Sequence, residues 1–238
     1  MSVFIALAVA VRALDLAAAR PVASPTENRN VQSAESNPDA DKLGRAVSLV
    51  KAGRQADGIK LLDEIITTFE ARYAEDRQLF CSRSMPESVV YVGLGMKTKK
   101  AATVLDQTWC YSYFYKGFAL IDLNRGDEAK PYFDKAITLA PMNSQFLGER
   151  GEWYKSRRDW AHALADFESA AGYAELSPES MKSFEQRRAW RGMAFVRVEQ
   201  GKLDEAEKLL RKCVELDPTD GKAKQELQYV ASLRRKPV

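Results

Sequence analysis

The side chains that most often carry chemistry are few in this chain and far apart. One histidine, His162, and three cysteines, Cys81, Cys110 and Cys213, are spread over 238 residues. A single imidazole with no catalytic neighbour builds neither a Ser-His-Asp nor a Cys-His arrangement, and no group of ligands has metal spacing. No glycine-rich phosphate loop occurs. Carboxylates are abundant, but they fall in Asp-Glu-Ala steps, where helix starts favour negative charge. The residues therefore point away from an enzyme, a metal centre or a bound cofactor. What stands out is recognition chemistry: "CYSYFYKGF" (110–118) places five aromatic rings in nine positions. Rings offer large, rigid contact area, either to a core or to a partner.

Charge narrows the partner. Lys and Arg total 36 against 33 Asp and Glu, a net of +3. That balance carries no basic footprint for nucleic acid and no polybasic membrane patch. Residues 1–24 differ from the rest: an apolar run, Val3 to Val11, is followed by small residues and "PVAS". The run is too short to span a bilayer and resembles an export leader. It lacks a preceding positive charge, and Arg12 and Asp15 follow closely, so a short amphipathic helix is the alternative. Residues 25–38 hold almost nothing apolar and read as a disordered polar linker. Leader and tether together predict a periplasmic or secreted protein, with a cytoplasmic one as the alternative.

The elements that position the rings follow from an internal period. "NRGDEAKPYFDKAITLAPMN" (124–143) and "EQGKLDEAEKLLRKCVELDPTD" (199–220) share Asp-Glu-Ala, an apolar residue four places on, a small residue three further, and Leu-x-Pro. Ala129 to Ala163 and Phe133 to Phe167 are both 34 residues apart. This pattern resembles the tetratricopeptide repeat, two antiparallel helices in about 34 residues. The resemblance implies an all-α fold, an α-solenoid of helix pairs wound as a right-handed superhelix with a C-terminal capping helix. It covers 39–234: a weak copy at 39–72, a degenerate one at 76–109, good copies at 110–143, 144–177 and 187–220, and a cap at 221–234. Within 76–109 an irregular stretch near 80–86 precedes a helix from about Pro86, and "AATVLDQ" (101–107) resembles the tail of a second helix. Nine extra residues near 178–186 predict a first helix lengthened by about two turns, with Ser177 as its cap. Pro131 predicts a loosened first turn. Cys213 takes a small-residue place and reads as buried. Cys81 and Cys110 could join as a disulfide in an oxidising compartment; two free thiols is the preferred reading.

The resemblance also assigns faces. It implies that places two, five, nine and twelve of each first helix line a concave groove. Those places hold Tyr111, Phe114 and Phe118, with Tyr115 beside them, then Glu152, then Arg188, Arg191 and Phe195; Glu149 borders the stripe. The expected site is an aromatic wall flanked by an acidic patch (Glu149, Glu152) and a basic one (Arg188, Arg191), suited to a peptide or protein with apolar and acidic character. The carboxylate clamp of some relatives needs Lys and Asn where this chain has Leu43 and Val47, so that mode is disfavoured. The function implied is a non-catalytic scaffold for a protein partner. A cytosolic assembly adaptor or a self-associating structural module is the alternative.

Overall fold

The structure, a computed structural model, describes residues 37–73, 78–98 and 102–235. The expected leader and most of the linker lie outside those residues. Among the described residues the chain forms α1 (Pro38–Lys51), α2 (Gln55–Arg72), β1 (Gln78–Cys81), α3 (Met85–Thr98), β2 (Ala102–Leu105), α4 (Thr108–Asp122), α5 (Lys130–Leu139), α6 (Ser144–Ser156), α7 (Trp160–Tyr173), α8 (Glu179–Glu199), α9 (Leu203–Leu216) and α10 (Gly221–Arg235). The pairs α1/α2, α4/α5, α6/α7 and α8/α9 each pack together, and each pair packs on the next, with α10 closing the last. This is an α-solenoid of helix pairs.

Close approach at small residues explains the packing. A Cβ on Gly117 would lie 2.8 Å from the Phe133 ring. Phe167 is held from two sides: a Cβ on Gly151 of α6 would meet it at 2.8 Å, and one on Gly192 of α8 at 2.6 Å. Gly53 and Gly201 take φ of +78° and +73° at the turns between paired helices, a conformation that side chains resist. Helix starts are capped by side chains: Asn143 accepts from the Phe146 N–H, Asp159 from His162 and Asp220 from Ala223. His162 itself is exposed, pairs with Asp159 and stacks on the Tyr154 ring at 4.9 Å.

The main departure from expectation is 76–109. It is a strand-helix-strand unit, not an eroded helix pair. β1 and β2 pair in parallel, Gln78 with Ala102 through Cys81 with Leu105, and α3 makes the crossover. "ATVL" is therefore strand. Ala102, in the expected small-residue place, misled because four residues are too few to separate a period of two from one of 3.6. On its inner side α3 places Tyr91, fully buried, stacked on Phe80 of β1 at 5.0 Å, with its hydroxyl accepting from the Met142 N–H.

The other irregularities resolve locally. α8 runs for 21 residues, but Ser177 does not cap it; its hydroxyl donates to Glu185 at 2.6 Å. Before Pro131, a single 3₁₀ turn, Gly126–Glu128, replaces the first α-helical turn, and α5 starts only at Lys130.

Candidate functional site

The aromatic wall is mostly core. Phe114 is 1% exposed and stacks on Phe146 of α6 at 4.8 Å. Tyr111 meets Phe146 edge-on at 4.9 Å and donates to Gln145 at 2.7 Å. Tyr115 packs on Tyr111 and Phe114. Phe118 is half-buried. The assignment of Phe114 to a ligand surface is therefore corrected. Its register place is right, but Phe146 fills the space that a partner would need. Cys81 and Cys110 are both buried free thiols at the junction of β1 and α4, with no crosslink. Burial pushes the Cys110 thiol up, and the adjoining Cys81 sulfhydryl adds to that.

The two charged patches are not separate surfaces. Arg188 donates to Glu149 at 2.5 Å, and Glu149 is buried, so the pair joins α6 to α8. Arg191 donates to Asp220 at 2.5 Å, while Arg187 holds the same carboxylate at 2.7 Å. Glu152 pairs with Lys155 one turn along its own helix. These residues bind the first helices to one another, and most of their charge is already matched.

What stays open is the far half of the same stripe. Lys155 of α6 sits 4.7 Å above the Phe195 ring of α8, and Phe195 is 40% exposed. Glu226 of α10 lies within the field of Arg191, Lys155, Asp220 and Glu152. Burial pushes its carboxyl up to about 7, against the pull of the two cations. Tyr229, three residues on and 56% exposed, shares the Glu226 side of α10. Sequence reasoning missed Glu226 and Tyr229 because it read α10 only as a solvating cap. Carried past residue 220, the same register would have put Tyr229 in a ninth place.

The near half is closed by the strand-helix-strand unit at 78–105, an insertion into the array of helix pairs. The Arg83 side chain is only 3% exposed and lies against the Tyr111 hydroxyl. It donates to Glu185 at 2.7 and 3.3 Å, to Glu87 at 3.0 Å and to Ser177 at 3.1 Å. Ser84 reaches the Leu176 carbonyl at 2.5 Å. Two departures that looked independent in the sequence, the unit at 78–105 and the lengthened α8, are thus halves of one contact. Burial also pushes the Glu87 carboxyl up, with the Arg83 cation opposing.

Residues 111–143 and 187–230 each match a family described as tetratricopeptide repeat. Among solved structures, one described as the functional characterization of Pseudomonas aeruginosa pilF superimposes with a TM-score of 0.58 at 10% identity, covering 83% of this chain and 69% of that one. The "MamA RS-1 ArsTM double mutant" gives 0.54 at 16% identity, covering 84% and 86%. No curated protein matches the sequence.

Proposed function

We propose that this chain, which is a tetratricopeptide repeat protein, serves as a non-catalytic scaffold that holds a peptide or protein segment along the far half of its groove. The observation that carries this reading is the side-chain set left open there. Phe195 and Tyr229 offer exposed rings, and beside them lie the Lys155 ammonium, shared with Glu152, and the Glu226 carboxyl. Such a mixture suits a segment with an apolar anchor flanked by charged residues, the rings supplying contact area. The family match supports a protein-binding role, since repeats of this kind place function in surface details. The expected leader favours a periplasmic setting. A mature protein that keeps residue 1 would favour the cytosolic adaptor instead.

The test compares capture by the intact chain and by Phe195→Ala with Tyr229→Ala. Both side chains are well exposed, so the thermal midpoint should stay within a few degrees. Partners held by the wild type should be lost from the variant. A partner retained equally by both places the binding surface elsewhere.

A further inference from the structure

Eight large hydrophobic residues stand exposed among the described residues, and four of them lie on α3: Met85 at 76%, Val89 at 64%, Val92 at 48% and Met96 at 76%. They recur at steps of four, three and four, so they form one straight stripe along the helix. The opposite side of α3 is committed to the fold, through the buried Glu87 and Tyr91. The apolar stripe is therefore not a failed inner face. It is a second apolar face on a helix that has already found its core.

We propose that this stripe is a self-association surface, on which α3 of a second copy packs antiparallel across a two-fold axis. The 4-3-4 spacing is that of a coiled-coil seam, in which each knob drops between side chains of the facing helix. Antiparallel pairing puts Val89 opposite the second copy's Val92 and Met85 opposite its Met96, a self-complementary arrangement as two-fold symmetry requires. Gly93 borders the seam with open space where a Cβ would stand, leaving room for close approach. Charge agrees with this orientation. The only charged residues of α3 are Glu87, which is turned inward to Arg83, and Lys97 near its end. A parallel pair would set the two Lys97 side chains against each other, whereas an antiparallel pair holds them at opposite ends. Covering both stripes removes on the order of 1,000 Å² from water, at the lower bound of a specific interface.

A lipid surface fits less well. Helices that lie on bilayers carry cations along their polar flank, and the polar flank of α3 is spent on the Arg83 cluster and the sheet. The proposed surface lies on the insertion, so each copy keeps its own open groove half.

The full-length chain should show, by light scattering over a concentration series, a species of twice the 26.7 kDa chain mass. Val89→Asp should weaken that dimer at least tenfold with an unchanged thermal midpoint. In a second measurement, a mixture of Val89→Cys and Val92→Cys chains should crosslink on oxidation more efficiently than either variant alone. This readout decides the matter should Val89→Asp disturb folding. A chain that stays monomeric throughout overturns the proposal, as does a dimer indifferent to Val89→Asp with no preferential mixed crosslink. A monomer that instead floats with vesicles containing phosphatidylserine overturns it in favour of a membrane surface.

Discussion

Phe114 shows how a residue can hold the right register place and still do another job. Its place on α4 was legible from the 34-residue period, but its burial was not, because burial depends on Phe146 arriving from the next repeat. Phe114→Ala should therefore cost about 3–5 kcal/mol, the range for a truncated core aromatic, in a denaturant melt, and should not selectively abolish partner capture. Glu226 gives the opposite case, a residue with no motif around it whose environment sets its behaviour. Its folded pKa, about 7, lies above the ordinary carboxylate value of 4.5. Between those values the folded state holds a proton that the unfolded state has lost, so stability falls as pH rises through that window. Glu226→Gln should leave stability near pH 5 almost unchanged and raise it at pH 8 by on the order of 1–3 kcal/mol. Melts of both proteins at the two pH values check this, and parallel pH profiles would show the carboxyl to be ordinary.

At the scale of elements, the legible parts were those that repeat. The pairs α4/α5, α6/α7 and α8/α9 announce themselves through Ala129, Ala163 and Ala206 with the large apolar residues four places on, Phe133, Phe167 and Leu210, since each small residue marks a place where two helices touch. β1 and β2 left no such mark: each is four residues long, and "AATV" suits a helix as well as a strand. The link between Arg83 and Glu185 was equally silent, because ion pairs distant in sequence leave no local pattern. Its loss has a definite expectation. Arg83→Ala strands two carboxylates in a buried site and should cost about 3–5 kcal/mol, as breaking a buried pair does. Amide exchange should accelerate first within 78–105 and at the start of α8, while α6, α7 and α9 keep most of their protection. Uniform acceleration over the whole chain would mean that the insertion is no separate unit. Gly192→Val tests the helix contact itself: the added carbons enter the Phe167 ring, and overpacking of about 1–3 kcal/mol should appear as a lower thermal midpoint.

At the scale of the whole molecule, repeat arrays ordinarily behave as chains of near neighbours, in which each unit feels only the next and either end can open alone. The Arg83 cluster changes that topology. Its two ends are 102 residues apart in sequence, and the segment between them contains α3, β2 and α4 to α7 with the start of α8. Closing a flexible loop of that length would cost about 4 kcal/mol of chain entropy beyond a constant, and although β1 and α3 already pack on α4, α5 and Met142, the Arg83 cluster itself returns nothing until α8 is in place. The array should thus form late and open late. The slow step in refolding should be the meeting of β1–α3–β2 with α8, and the same step, run backwards, is what a protease or a pulling force should have to wait for. A ladder with one long strap across it is frayed less readily than its rungs suggest, and this chain should outlast simple arrays of equal length in the time it takes to come apart rather than in the temperature at which it melts.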